Sequence, residues 1–324
     1  MIYPWLREHW LFFLKRLQQD RLAHALMIEG PAGSGKNALA IEMVARLLCS
    51  ENQPEACGQC RSCKLLAGGA HPDRFELHPE EGSEIIKVDQ VRNLIASLDL
   101  TTSISERKVA YIHPADGMNI AAANALLKSL EEPTGNAVMI LVSSDPGSLP
   151  VTIRSRCQSI VVCQPDRKLV LDWLTETTGR SVADVSAALQ AAGGSPLRAA
   201  RYLESPELDT FVQVTEGLAT LLKRPGSVSL VSSKLSDFNP DDLWRWLSLC
   251  TGEAVKCLMT DRGSDWLPAD SNLSEHTLLK LQKQADFNRR LAKTPVRGDL
   301  LLQDWLIRWA EQTVRNTQYQ SRMT

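Results

Sequence analysis

The stretch Gly30-Pro-Ala-Gly-Ser-Gly-Lys36 decides the fold of this chain. It follows an apolar run, residues 25–28, and precedes a helix-like segment, residues 37–48. A glycine-rich turn between a strand and a helix presents backbone N–H groups and a lysine ammonium to a phosphate. The spacing predicts a nucleotide-binding loop, with a plain strand-to-helix turn as the alternative. The loop residues that would surround a phosphate are Gly30, Gly33, Gly35 and Lys36.

The hydrolytic part of this site is missing from the sequence. Asn37 stands where the loop pattern requires a Ser or Thr hydroxyl for magnesium. A second apolar strand, residues 109–112, is followed by His113-Pro114, where such sites normally place Asp-Glu for the metal and the attacking water. The residues therefore predict a site that can still bind a phosphate but lacks the ligands for Mg²⁺ and the base for ATP hydrolysis.

Four of the eight cysteines form a second motif, Cys49-x7-Cys57-x2-Cys60-x2-Cys63. Thiolates two residues apart can turn toward one metal ion, and four sulfur ligands leave no open position for catalysis. We expect a structural Zn²⁺ ion bound by Cys49, Cys57, Cys60 and Cys63. An iron–sulfur cluster is the rival, although the usual trailing Cys-Pro is absent, and buried thiols without a metal are the third interpretation.

Composition predicts a cytoplasmic protein of more than one domain. The chain has 324 residues, 44% of them hydrophobic, and a formal net charge of −2. This length exceeds one compact core of ordinary size. The sequence has no secretory pattern at its start and no apolar run of membrane-spanning length, so we expect no membrane partner. The near-neutral charge predicts that any contact with nucleic acid is local.

Strand-like and helix-like segments alternate in the first half of the chain and give way to helices alone. The pattern predicts an α/β fold with a parallel sheet, followed by an all-α part. We expect an α/β domain over residues 1–165 with a zinc-binding insertion at about 49–63, a small helical domain over 166–205, and a C-terminal helical domain over 206–324. Four tryptophans of the last domain are expected in its core: Trp244, Trp246, Trp305 and Trp309.

Two further motifs carry a family resemblance. They are Asn124-Ala-Leu-Leu-Lys-Ser-Leu-Glu-Glu-Pro133 and Leu149-Pro-Val-Thr-Ile-Arg-Ser-Arg-Cys157. Together with the cysteine motif and Tyr3-Pro-Trp-Leu6, they resemble the AAA+ subunits of the bacterial clamp loader of DNA polymerase III. The resemblance implies an AAA+ P-loop module with a parallel sheet and a zinc-binding insertion, a small helical lid, and a C-terminal helical collar that assembles with other subunits.

The resemblance also implies a role for the motif Ser155-Arg156-Cys157. In clamp loaders this arginine serves the ATP of a neighbouring subunit, so Arg156 is expected to be a trans arginine finger with Ser155 beside it. With its own site broken, the chain would be a stator that hydrolyses no ATP. The implied partners are the tau/gamma motor subunits and the delta subunit, with the sliding clamp and primer-template DNA reached through the complex during replication.

Other positions of the family pattern carry over less directly. Ser143 and Ser144 occupy the region that senses the γ-phosphate. Arg198 follows Gly194-Ser195-Pro196 one residue later than the family's second sensor arginine, which would turn its side chain by about 100° on a helix. Lys128 lies on a helix that the family places near DNA, and a solvated charged face is the alternative for it.

Two other functions stay open at this point. One is a self-contained ATP-hydrolysing motor subunit, in which Lys36 is kept and His113 or Asp116 serves the metal. The other is a zinc-dependent nucleic-acid-binding module that presents Arg61 and Lys64 to phosphates. Neither alternative accounts for the two family motifs together.

Overall fold

The structure is a computed structural model that describes residues 2–133, 135–260, 266–268, 273–292, 294 and 296–320, with side chains as far as residue 312. No helix within these ranges is long and apolar enough to cross a membrane. The chain divides into two compact units. The first runs to Val182 and includes Gly194–Arg198, and the second comprises Ala183–Gly193 and the residues from Ala199 onward. The division into three domains stays a prediction.

A five-stranded parallel sheet forms the centre of the first unit, in the order β2-β3-β4-β1-β5. The strand-like runs of the sequence lie at 25–28, 74–77, 109–112, 138–142 and 159–162. Each strand of the sheet lies within one residue of one of these runs, and the predicted α/β fold is confirmed. The strands are β1 (Ala25–Glu29), β2 (Arg74–Leu77), β3 (Lys108–Ile112), β4 (Ala137–Ser143) and β5 (Gln158–Val161).

Alternate residues of the central strands supply two cores, one on each face of the sheet. Met27 and Ile112 point to one face, where they pack with Leu126 of a covering helix. Ile28 and Tyr111 point to the other face, which the N-terminal helix and the helix after the glycine-rich loop cover. Burial on both faces explains why these strands are continuous apolar runs, as parallel strands usually are.

Six helices of the first unit cover this sheet or connect its strands, and a seventh follows the last strand. They are α1 (Arg7–Gln18), α2 (Lys36–Leu48), α3 (Arg61–Ala67), α4 (Val88–Leu98), α5 (Ile120–Glu131), α6 (Val151–Arg154) and α7 (Arg167–Thr178). Short 3₁₀ turns lie at Pro4–Leu6, Ala115–Gly117 and Pro146–Ser148. Helices α1, α3 and α6 lie where the sequence patterns predicted no helix.

The second unit is helical throughout its described part. Its elements, including two helices that carry residues of both units, are α8 (Val182–Ala191), α9 (Pro196–Leu203), α10 (Glu207–Lys223), α11 (Val228–Leu235), α12 (Pro240–Thr260), α13 (Glu275–Leu291) and α14 (Gly298–Gln320), with a 3₁₀ turn at Pro225–Ser227. The polar, Gly-containing sequence over 260–274 predicts a loop between helices, and this segment lies largely outside the described residues.

The four tryptophans expected in this helical core are buried, as predicted. Three of their indole N–H groups donate to backbone carbonyls on other helices: Trp246 to Ala191 at 3.1 Å, Trp305 to Leu281 at 2.9 Å, and Trp309 to Leu218 at 3.1 Å. A buried tryptophan needs such an acceptor for its polar atom, so these bonds fix the position of each ring as well as its burial.

Candidate functional sites

The predicted nucleotide site lies at the carboxyl edge of the sheet. The glycine-rich loop follows β1, His113 follows β3, and Ser144 follows β4. Since β4 pairs with both β1 and β3, parallel pairing brings these three segments to neighbouring positions. Ligands of open parallel sheets bind at this edge. The fold therefore brings Lys36 next to Ser144 and Asn37 next to His113.

Lys36, the loop lysine, is engaged within its own unit. Its Nζ donates to the carbonyl of Pro31 at 2.8 Å and to Ser144 Oγ at 3.2 Å. The residue is buried, and burial lowers the pKa of Lys36 while the carboxylate of Asp116 opposes that change. A phosphate entering this loop would have to replace acceptors that the ammonium already has.

Asn37 and His113 occupy the magnesium side of the site and bind each other. Asn37 Nδ2 lies 2.6 Å from His113 Nε2. Burial is the main cause that lowers the pKa of His113, with Lys36 adding to it, so the imidazole is neutral at pH 7. Asn37 then donates to the unprotonated Nε2. Asp116, the nearby carboxylate, accepts the backbone N–H of Ser144 at 3.0 Å.

Aromatic side chains close the loop from outside, which the sequence analysis did not predict. The indole N–H of Trp5 donates to the carbonyl of Ser34 at 2.8 Å. Tyr3 stacks on Trp5 at 5.1 Å between ring centroids, and Trp173 of α7 meets both rings edge-on. A Cβ added at Gly35 would lie 2.8 Å from the Tyr3 ring. The N-terminal segment therefore packs directly on the phosphate loop.

A segment near the end of the first unit covers the loop from another side. The backbone N–H of Leu197 donates to the carbonyl of Gly33 at 3.3 Å, and a Cβ at Gly33 would overlap the Ser195 hydroxyl. This is the segment in which the sequence places Arg198, one position away from the family pattern. It reaches the loop through its backbone and through Ser195.

The donor set at this edge fits a phosphate better than a magnesium ion. The hydroxyls of Ser34 and Ser143 are buried and have no hydrogen-bond partner among the described residues, so they could serve a phosphate oxygen or a water. Mg²⁺ requires hard oxygen ligands, and the Asn37–His113 pair offers neither a carboxylate nor a hydroxyl.

The four cysteines of the second motif converge as predicted. Their Sγ atoms all lie within 4.8 Å of one another, and within the described ranges they form the one group of this kind suited to a metal. Cys60 caps the start of α3 by accepting the backbone N–H of Cys63, and Cys49 follows the end of α2. This arrangement is compatible with a metal site.

Backbone donors surround these sulfurs. Cys49 Sγ accepts N–H groups from Glu51 and Cys57 at 3.4 Å each, and the sulfurs of Cys57 and Cys60 each accept one at 3.3 Å. Burial opposes ionisation, but hydrogen bonds from Ser50 and from the Cys63 backbone lower the pKa of Cys60 to about 5. Donors aimed at sulfur stabilise thiolates, the form that binds metal.

A buried polar group joins the cysteine segment to the sheet, and the sequence analysis missed it. His71 Nδ1 accepts the backbone N–H of Asp73 at 3.1 Å, so the neutral ring carries its proton on Nε2. Nε2 lies 2.6 Å from Ser62 Oγ, which in turn donates to the carbonyl of Leu48. Burial lowers the pKa of His71. The polar pair His71 and Asp73, directly before strand β2, was the available signal.

Arg156, the predicted finger, lies just after α6 and about one third of its side chain is exposed. Its Nη1 donates to the carbonyl of Thr152 at 3.0 Å, and its Nη2 forms an ion pair with Glu131 at the end of α5. Ser155 is exposed and donates to the same Thr152 carbonyl at 3.2 Å. Cys157 packs against the core, and burial raises the pKa of its thiol to about 12.

The remaining predicted cations are exposed. Lys128 lies on α5, and Arg61 and Lys64 lie one turn apart on α3. The ion pairs found among the described residues include none of the three. Their positions are compatible with a solvated face as well as with a phosphate contact.

Comparison with known proteins identifies the family. The family model described as "DNA polymerase III, delta subunit" matches residues 6–166. A DNA polymerase III subunit delta' from Pseudomonas aeruginosa is 41% identical over 247 residues, which cover 76% of this chain and 74% of that protein. The chain belongs to the DNA polymerase III delta-prime subunit family. A delta-prime subunit from Yersinia pestis is 32% identical, with 95% of each chain covered.

A solved structure supports the fold of this delta-prime family member. A DNA polymerase III gamma subunit-related protein from Thermotoga maritima superposes with a TM-score of 0.53, covering 94% of this chain and 99% of that chain at 19% identity. At this identity the likeness concerns the fold alone. It confirms the fold class expected from the resemblance to AAA+ clamp-loader subunits.

Proposed function

We propose that this chain is the non-hydrolysing stator subunit of a DNA polymerase III clamp loader and supplies Arg156 in trans to the ATP of a neighbouring motor subunit. One observation carries the proposal. Asn37 and His113 replace the magnesium-binding hydroxyl and the acidic pair of a P-loop ATPase, and they are hydrogen-bonded to each other at 2.6 Å.

The charges at the loop support the absence of hydrolysis. A neutral His113 and an amide bring no negative charge to a metal, and the nearby carboxylate of Asp116 is already bonded to the Ser144 backbone. Lys36 donates to acceptors of its own unit. The loop could therefore hold a phosphate after local rearrangement, while activation of water has no base and no ordered cation.

The placement of Arg156 supports its proposed role in trans. The guanidinium is anchored at one edge by the Thr152 carbonyl, which restricts its orientation, and it stays partly exposed at the surface. A planar, permanently charged group of this kind stabilises the charge that develops on a transferring γ-phosphate. Its own loop provides no hydrolytic site for it to serve.

We infer that Cys49, Cys57, Cys60 and Cys63 hold one structural Zn²⁺ ion. Zn–S bonds of about 2.3 Å in a tetrahedron separate the sulfurs by about 3.8 Å. Cys57 Sγ and Cys63 Sγ lie 3.9 Å apart, and all four sulfurs fit within 4.8 Å. Four thiolates complete the coordination, so the ion would fix the connection between α2 and α3 and would perform no chemistry.

The proposed partners follow from the family. They are the tau/gamma motor subunits and the delta subunit, and the sliding clamp and primer-template DNA would be reached through the complex, in the cytoplasm. The helical collar over residues 206–324 would provide the contacts between subunits, and the part over 166–205 would act as the lid. Truncation near residue 206 tests the collar, because co-purification with the motor subunits should then be lost.

The decisive experiment measures the clamp- and DNA-stimulated ATPase of a loader reconstituted with variant subunits. We expect Arg156→Ala to silence the motor site that it serves, by about 10³-fold at that site, in a loader that still assembles. Lys36→Ala should leave the rate unchanged. Arg154→Ala is the matched control, since Arg154 is an exposed arginine of the same short segment.

Two results would overturn the proposal. A loader with Arg156→Ala that keeps the full stimulated ATPase rate would refute the role of Arg156 as an arginine finger. A loss of rate with Lys36→Ala but not with Arg156→Ala would mean that the chain is itself a motor that hydrolyses ATP.

A further inference from the structure

Arg156 is paired within its own subunit before any neighbour is present. Its Nη2 contacts the carboxylate of Glu131, and its Nη1 contacts the Thr152 carbonyl at 3.0 Å. The two contacts differ in kind. Thr152 belongs to α6, immediately before the arginine, whereas Glu131 comes from the last turn of α5.

The contact with Glu131 is built to be exchangeable. Half of the Glu131 side chain and a third of the Arg156 side chain are exposed, so solvent screens the pair. Exposed ion pairs of this kind bias an equilibrium by about twofold to fivefold. The carboxyl end of a helix disfavours a negative charge, and Glu131 and Glu132 both lie there, so Arg156 relieves a local repulsion.

We propose that Glu131 is a latch that holds the guanidinium of Arg156 against its own subunit until the γ-phosphate of a neighbouring ATP displaces the carboxylate. The inference rests on the proposed finger role of Arg156. A γ-phosphate carries more negative charge than a carboxylate and accepts the Nη2 donor that Glu131 contacts, so it replaces Glu131 once the subunits close. The Thr152 contact keeps the arginine oriented during this exchange.

The latch would affect the basal ATPase rate and the clamp- and DNA-stimulated rate differently, whereas an inert surface ion pair would affect neither. Without clamp and DNA, Glu131 competes for Arg156 and suppresses hydrolysis at the neighbouring site. With clamp and DNA, the closed interface favours the phosphate, and the carboxylate no longer limits the rate. Glu131 is therefore a positioning residue that acts through Arg156 and touches no nucleotide.

The test is Glu131→Gln in the reconstituted loader, with ATPase measured in the absence and in the presence of clamp and primed DNA. We expect the basal rate to rise about twofold to fivefold while the stimulated rate stays unchanged, so that the stimulation ratio falls by the same factor. Glu132→Gln is the matched control. It removes the same charge from the same helix end, at an exposed residue that is absent from the ion pairs of the described structure.

Three outcomes decide the inference. A basal rate that rises with Glu131→Gln but not with Glu132→Gln, at an unchanged stimulated rate, supports the latch, provided that the effect disappears when Arg156→Ala is combined with it. An unchanged ratio, or a stimulated rate that falls, overturns it. Arg156→Ala alone tests the finger separately: if it lowers the stimulated rate while Glu131→Gln is silent, the latch fails and the finger stands.

Discussion

Asp73 offers a sharp test of how the cysteine segment and the sheet are held together. The residue is fully buried, and its carboxylate accepts three backbone N–H groups, from Ser103 at 2.7 Å and from Ile104 and Ser105 at 2.8 Å each. Burial alone would raise the pKa of Asp73, but these three donors hold it below its usual value. The carboxylate is therefore charged at pH 7, and its contribution to stability is lost only when the pH falls through this lowered pKa.

Asp73→Asn keeps the shape of the side chain and removes its charge. The best amide rotamer places its oxygen where Oδ2 accepts from Ile104 and Ser105, and its NH₂ group then faces the N–H of Ser103. One buried donor loses its acceptor and two bonds lose their charge. At about 1 to 3 kcal/mol for an unpaired buried group, plus the weakened bonds, we expect a cost of about 3 kcal/mol.

Hydrogen exchange at the amides of residues 103–105 reports this loss locally, whether or not the whole protein unfolds in one step. A cost of about 3 kcal/mol accelerates exchange by about 10²-fold where local opening limits it. Asp99→Asn is the control, because Asp99 is an exposed carboxylate four residues before Ser103, and it should change stability by less than about 0.5 kcal/mol. Equal exchange in the wild type and in Asp73→Asn would refute the reasoning.

Three further outcomes are expected. Elemental analysis should find one zinc per chain, lost with Cys60→Ser but kept with Cys250→Ser, since Cys250 is a buried core thiol. Burial lowers the pKa of His71 from its ordinary value of 6.5, so the unfolded state binds more protons than the folded state near and below that pH. The urea concentration at the unfolding midpoint should therefore decrease when the pH is lowered from 7.5 to 5. Gly30→Ala should lower the free energy of unfolding by about 3 kcal/mol or more, measured by chemical denaturation without any nucleotide. Gly69→Ala is the control, because Gly69 also has a positive φ but no atom lies within 4 Å of an added Cβ, and it should lower that free energy by about 1 to 2 kcal/mol.

The sequence predicted the centre of the sheet well because β1, β3 and β4 are buried on both faces. A run such as Val138–Val142 is apolar throughout, which leaves few alternatives to a parallel central strand. The cysteine cluster was predictable for a different reason: its ligands are close in sequence, so local geometry limits where the sulfurs can lie. Helix α1 was missed because the sequence was interpreted only as an N-terminal motif there, although Trp10 and Phe13 lie on its buried side.

Contacts between distant residues could not be predicted from the pattern. The hydrogen bond from Trp5 to Ser34 joins residues 29 apart, and the pair of Asn37 with His113 joins residues 76 apart. The sequence identified Arg156 through its motif but gave no reason to connect it with Glu131. Such pairs depend on the order of strands in the sheet, and this order follows from packing between elements that no single segment encodes.

The glycines of the phosphate loop show why a nucleotide-binding pattern can persist in a chain proposed to hydrolyse nothing. A Cβ at Gly30 would lie 2.1 Å from the Val162 carbonyl, and one at Gly33 would overlap Ser195, so both positions exclude larger residues without any ligand. Gly35 adopts a left-handed conformation beneath Tyr3. The segments that close the loop thus impose the same glycines that a phosphate would require. The magnesium ligands have no such second use, and these are the residues that this chain has replaced.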